Sequence, residues 1–174
     1  MTHLYLVRHC ETRELAGDES PHPRGDSVLS ARGEAQAREL ADFLRSHPVE
    51  IVLTSLFLRA QQTAHVIAAG SIPVRASMAL NEFQLRDDGT GVETTEQGLV
   101  RSLGFLNAFR PYHAHIAVVG HNSLLSVLRM SLLNAPFDEN RGYFSAPGQC
   151  CILRYDWRLG DQNWRETASF CPSA

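Results

Sequence analysis

Two arginines and two histidines stand where short apolar runs give way to polar residues. Arg8 and His9 follow "LYLV", Arg59 lies four positions past Ser55 after "EIVLTS", and His121 follows "HIAVVG". Guanidinium groups are planar, permanently charged forks that match phosphate oxygens, so a site built from two of them suits a dianion such as a phosphoryl group. With two imidazoles beside it, one histidine can attack phosphorus while the other donates a hydrogen bond to the charged oxygens of the transition state. The neighbouring cations lower a histidine pKa from its usual ~6.5 and favour the neutral, nucleophilic ring. A lone histidine at a strand end is more often structural than catalytic, so the argument rests on convergence of the four.

Cys10 adjoins His9 and raises a rival chemistry, because His-Cys also opens the signature of phosphatases that use a thiolate and an arginine six positions beyond it. Here that position is Ala16, and Arg13 comes too soon. The histidine reading is therefore preferred. Cys10 then reads as a small residue filling a tight site, with a low-pKa thiol beside Arg8, open to oxidation, as the alternative.

The flanking patterns supply elements to hold these groups. Residues 3–7 read as a buried strand delivering Arg8 and His9 at its carboxyl end, and 13–29, with Pro21, Pro23, Gly17 and Gly25, as a surface loop. Ser30 caps an amphipathic helix carrying Ala37, Leu40, Ala41 and Leu44, closed by Pro48. Residues 50–53 form a second strand, and Thr54-Ser55 lead into a helix that ends near Gly70, with Ser55 expected to cap it. "SIPVRAS" reads as a third extended piece. Thr94 to Gln97 have capping-box spacing before a helix with apolar residues at 99, 103 and 106, closed by Pro111. Residues 115–119 form a strand ending at Gly120-His121, with Asn122 expected to cap the next helix. "QCCILRYDW" and "WRETASF" read as a hairpin turning at Gly160-Asp161.

Alternating strands and helices imply an α/β fold, a three-layer sandwich with a mainly parallel central sheet flanked by helices, whose crevice lies outside the carboxyl ends of the strands. Arg8, His9, Thr54, Ser55, Arg59, Gly120, His121 and Asn122 all fall there. The 174 residues carry 16 basic and 19 acidic side chains and a formal charge of -3, and every basic residue is arginine. No like-charge run marks a nucleic-acid or membrane partner. A single domain spanning 1–174 is expected. The early Arg8 leaves no room for the apolar core of a secretory signal, and Cys10, Cys150, Cys151 and Cys171 form no C-x-x-C pair, so a cytoplasmic protein with reduced thiols is expected.

Five segments together resemble the histidine phosphatase superfamily, the phosphoglycerate mutase-like family: "LYLVRHCET", "LSARGEAQARELADFL", "VLTSLFLRAQQTAHVI", "LNEF" and "AVVGHNSLL". The resemblance implies a phosphoglycerate mutase-like fold and a phosphomonoesterase in which His9 is the covalent nucleophile. It further implies that Arg8, Arg59 and His121 hold the phosphoryl oxygens, that Glu82 is the general acid and base, and that Thr12 lines the pocket. No cofactor or metal is implied, and the substrate is a small phosphorylated molecule. The family ordinarily has glycine at the position of Cys10, so a thiol there could tighten or tilt the pocket. Alternatives are a phosphohistidine phosphatase acting on protein, a mutase-type phosphotransferase, and a phosphate-binding module impaired by Cys10.

Other residues have types suited to the same chemistry. Glu93 is the reserve acid, and His22 in the 13–29 loop could meet substrate charge. Phe83, Leu85 and Phe144 to Pro147 could wall the pocket. His113 and His115 share a strand face as a metal pair would, but without a third ligand a structural role is preferred.

Overall fold

The computed structural model describes residues 1–17, 27–83, 93–136, 144–156, 158 and 163–173. In chain order the elements are β1 (Thr2–Arg8), α1 (Ala31–Arg45), β2 (Ile51–Thr54), α2 (Leu58–Ala68), β3 (Val74–Ala76), a 3-10 turn (Met78–Leu80), α3 (Thr95–Phe109), β4 (His115–Gly120), α4 (Asn122–Leu132), β5 (Cys150–Tyr155) and β6 (Arg165–Phe170). The six strands form one sheet in the order β3-β2-β4-β1-β5-β6. β1, β2, β3 and β4 run parallel, while β5 and β6 add an antiparallel edge.

Both faces of the sheet are covered, which is why its central strands are continuous apolar runs. Along β1, Tyr5 and Val7 join a core with Ala37, Leu40 and Leu44 of α1 and with Ala60, Ala64 and Ile67 of α2. Leu4 and Leu6 point the other way, into a core with Leu106 of α3 and with Leu125 and Leu128 of α4. The vicinal cysteines divide in the same fashion, Cys150 to the first core and Cys151 to the second. None of the described helices is long and apolar enough to cross a membrane.

The heads of α1 and α3 follow local chemistry. Ser30 accepts the Gly33 amide at the head of α1. Thr94 and Gln97 form the expected capping box at the head of α3, whose fully packed face is centred on Gly98, Ser102 and Leu106. Leu99 and Leu103, partly buried, pack against the same core as Leu106, so the apolar stripe read from 99, 103 and 106 faces it. The expected turn at Gly160-Asp161 lies outside the described residues.

Contacts from two helices lock the chain leaving β1 in place. A Cβ on Gly33 would lie 1.9 Å from the Glu11 carbonyl oxygen, so only glycine lets α1 approach Glu11 this closely. The Ser30 amide donates to that carbonyl at 3.0 Å, and the Glu11 amide donates to Gln36 Oε1 at 3.0 Å. From α2, Thr63 Oγ1 accepts the Cys10 amide at 3.1 Å. The segment carrying His9 is thereby held from both sides.

Candidate active site

β1, β2 and β4 end in step, with Arg8 opposite Gly120 and Thr54 opposite Val119. His9, Ser55 and His121 consequently emerge together. His9 is 6% exposed, and its Nδ1 lies 2.8 Å from the Cys10 carbonyl oxygen. A carbonyl only accepts, so Nδ1 carries the proton and Nε2 keeps its lone pair. Burial pushes His9 down to about 3, opposed by the Cys10 carbonyl and reinforced by Arg59 and Arg8. The ring is neutral across the physiological range.

Arg59 stands in the first turn of α2, and its Nε–H donates to His9 Nε2 at 3.2 Å. Its guanidinium also lies 4.7 Å above the centre of the Phe57 ring. Arg8 donates through Nη1 to the Phe144 carbonyl at 2.9 Å and to the Ser145 carbonyl. Its Nε is buried with no partner among the described residues, and so is Ser27 Oγ. Burial lowers the pKa of both arginines, with Glu82 opposing at Arg8 and with Glu14 and Glu82 opposing at Arg59.

His121 is 1% exposed, and its ring centre lies 5.2 Å from that of His9. Burial, then His9, Arg59, Arg8 and Arg101, hold its pKa well below 6.5. Two capping expectations are corrected here. Asn122 is the first residue of α4, not its cap; His121 takes the cap position and its side chain makes no capping bond. Ser55 likewise precedes the cap position of α2, held by Phe57. Its Oγ accepts the Phe57 amide at 3.2 Å and meets His121 Nε2 at 2.8 Å.

The amides left over at the head of α4 go to Glu82. Ser123 and Leu124 donate to its two carboxylate oxygens at 3.0 Å each, and the Phe83 amide adds a third bond at 3.1 Å. A carboxylate carries about four lone-pair sites, so one on Oε2 is left for a proton or a substrate oxygen. This placement at a helix N-terminus also suits a negative charge.

A crevice of about 330 Å³ opens here, lined by Arg8, His9, Arg59 and Thr12 together with Glu14, Leu15 and Ser27. The last three were not singled out in the sequence reading. Glu14 supplies a carboxylate on the wall itself, whereas Glu82 and His121 are not among the lining residues. A larger hollow of about 460 Å³ lies beside Arg110 and Tyr155. There the guanidinium is stacked on the Tyr155 and Trp164 rings, and no histidine or cysteine lines it.

Cys10 turns away from the crevice. Its side chain is fully buried in the core shared by α1 and α2, and lies where a Cβ on Gly148 would approach its sulfur to 3.3 Å. Burial pushes the thiol up to about 12, against a lowering by Thr63. The low-pKa alternative is thus corrected, since the Arg8 charge does not reach a solvated thiol.

Several other candidates have structural partners. Glu93 is paired with Arg101, which also binds the Ala79 and Asn81 carbonyls, so the reserve acid ties α3 to the 3-10 turn. Phe83 packs on Gly98 and Phe144 is fully buried in the second core, and neither lines the crevice beside His9. His113 sits 3.7 Å from Glu50, while His115 stacks on His3. No group of three metal-ligating side chains occurs among the described residues. His22 and Leu85 lie outside those residues.

The family model described as histidine phosphatase superfamily, branch 1, matches residues 4–97. The chain is 28% identical to the adenosylcobalamin/alpha-ribazole phosphatase of Escherichia coli (strain K12), over 82% of this chain and 88% of that protein. It is 41% identical to a probable phosphoglycerate mutase GpmB of Enterobacter sp. (strain 638), over 39% of this chain and 31% of that protein. Among solved structures, a mycobacterial glucosyl-3-phosphoglycerate phosphatase superposes with a TM-score of 0.78 at 19% identity, covering 97% of this chain and 98% of the other. That last likeness speaks for the fold alone. The matched segment covers more than half of the 174 residues and contains Arg8, His9, Arg59 and Glu82, and the chain belongs to the histidine phosphatase superfamily.

Proposed function

We infer that the protein is a phosphomonoesterase that transfers a phosphoryl group from a small ester first to His9 and then to water. The observation that carries this reading is the His9 ring. Its Nδ1 proton is tied to the Cys10 carbonyl and its neutral Nε2 faces Arg59. Nε2 forms a bond to phosphorus as the bond from phosphorus to the ester oxygen breaks, and that oxygen leaves with the electron pair and takes a proton. Arg8 Nε, the Arg59 fork and His121 meet the phosphoryl oxygens as they carry the charge. Water then attacks the phosphohistidine, gives up a proton to the base and releases inorganic phosphate with the His9 ring regenerated.

Glu82 is the acid and base in this scheme, using the lone pair of Oε2 that no amide occupies. Glu14 is the second candidate, favoured by its place on the crevice wall. No cofactor takes part in either step, and the thiols of Cys10, Cys150 and Cys151, all buried and unpaired, support work in a reducing cytoplasm.

Cys10 does not point into the crevice, which favours an active enzyme over an impaired phosphate-binding module. Release of phosphate from 4-nitrophenyl phosphate and from a panel of small phosphate esters tests the reading. Turnover that disappears in His9→Ala and persists in Cys10→Ala is expected. Phosphate binding with no turnover across the panel would contradict it.

A further inference from the structure

If His121 donates to the phosphoryl group, as the proposed function holds, its neutral ring must carry the proton on Nδ1, and a buried hydroxyl on β2's exit stands where it can enforce this. Ser55 is 0% exposed, and its Oγ lies 2.8 Å from His121 Nε2. The same oxygen accepts the Phe57 amide at 3.2 Å. A hydroxyl that accepts an amide still has its own proton to place, and buried hydroxyl protons find acceptors. Among the described residues His121 Nε2 is the acceptor in reach. We propose that Ser55 donates its hydroxyl proton to His121 Nε2 and so fixes His121 as the Nδ1–H tautomer that hydrogen-bonds a phosphoryl oxygen.

The opposite side of the ring carries the contact that the competing tautomer would use. Arg59 Nη2 approaches His121 Nδ1 at 3.4 Å, at the outer limit of a hydrogen bond. A guanidinium only donates, so in the assigned tautomer two N–H groups converge without bonding each other, and a phosphoryl oxygen is the acceptor that both can share. The competing tautomer would let Nδ1 accept this long contact, but Ser55 Oγ would then accept twice and its own proton would be left unpaired in a closed site. The hydroxyl proton, which has no other acceptor in reach among the described residues, favours the Nδ1–H form.

His9 and His121 are then protonated at the same ring atom for opposite purposes. At His9 the Cys10 carbonyl holds the Nδ1 proton so that Nε2 can attack. At His121 the Ser55 hydroxyl occupies Nε2 so that Nδ1 can donate. Ser55 does not touch the reacting atoms and is a positioning residue. Alanine there can satisfy neither the Phe57 amide nor the ring, whereas threonine keeps the hydroxyl.

Nitrogen NMR of the full chain with labelled histidine tests this, with the His121 signals identified from a His121→Gln spectrum and orthovanadate added as the phosphoryl mimic. Wild type is expected to show a protonated Nδ1 and an unprotonated Nε2 at His121, alone and with vanadate. In Ser55→Ala the ring moves wholly or partly to Nε2–H, and kcat on 4-nitrophenyl phosphate falls by ~10- to 100-fold while KM changes by less than about threefold. Ser55→Thr recovers both the tautomer and kcat. A wild-type ring protonated at Nε2, or a Ser55→Ala ring unchanged from wild type, overturns the assignment. The wild-type spectra decide even if the alanine variant fails to fold. They need no turnover, so an inactive protein would sink the proposed function and leave the tautomer to be read on its own.

Discussion

Arg59 Nε–H donates to His9 Nε2 over 3.2 Å, so one guanidinium both engages the nucleophilic lone pair and faces the crevice. The contact orients the ring while the site is open. In the proposed reaction an entering phosphoryl group draws the fork to its oxygens and frees Nε2 for attack. An ammonium has no planar fork with which to do both. Arg59→Lys should keep the fold and lower kcat/KM by ~10- to 100-fold, and a variant within about twofold of wild type would show that charge alone suffices.

The depressed histidines make stability depend on pH in a definite direction. His9 is held down to about 3 and His121 well below 6.5, whereas in the unfolded chain each titrates near ~6.5. Between those limits the unfolded chain binds protons that the native site refuses, so this contribution is fully present above about pH 6.5 and is lost as pH falls toward 3. Urea unfolding at about pH 7.5 and about pH 5 should show a smaller loss for His9→Asn than for wild type. Equal losses would mean that His9 takes up its proton in the native state.

Which carboxylate moves the proton can be read from leaving groups. A 4-nitrophenolate departs without help, while an alkoxide needs a proton. Glu82→Gln should therefore lower kcat on an alkyl phosphate by ~10²-fold and on the aryl ester by far less. Glu14→Gln should leave that ratio unchanged. The reverse pattern would transfer the role to the residue on the crevice wall.

Much of the site was legible because apolar runs on a doubly covered sheet announce their own ends. Arg8, His9 and His121 follow such runs directly, and Arg59 follows one at the spacing of a helical first turn. The purposes of Ser55 and Glu82 were less accessible. A serine just before a helix reads locally as a cap, yet Ser55 bonds a histidine 66 residues away, and nothing in its neighbourhood encodes that partner. Glu82 caps α4 across 41 and 42 residues, so the cap sought in Asn122 came from another part of the chain. Glu14 stayed hidden because the first turn after β1 reads as loop, and only its fold back against Leu29, through the bridge at Thr12, brings it to the wall. Gly33 and Thr63 were visible only as helix residues, though they hold the His9 segment in place.

Cys10 illustrates how a side chain's direction changes the meaning of a substitution. Its sulfur lies in the first core beside Gly148. Cys10→Gly should leave kcat within about threefold of wild type and cost ~1–3 kcal/mol of stability through the buried volume removed. The wild-type thiol, pushed up to about 12, should resist alkylation in the native state. Rapid native labelling at Cys10, or a large gain in turnover on Cys10→Gly, would place the thiol in the phosphate site instead.

The proposed reaction stands on a covalent bond between phosphorus and His9. Brief reaction with a radiolabelled phosphate ester, quenched in base, should leave one label per chain that is stable to alkali, lost in acid, carried by the peptide containing His9 and missing from His9→Ala. Turnover without any such label, or a label equally present in His9→Ala, would contradict the account.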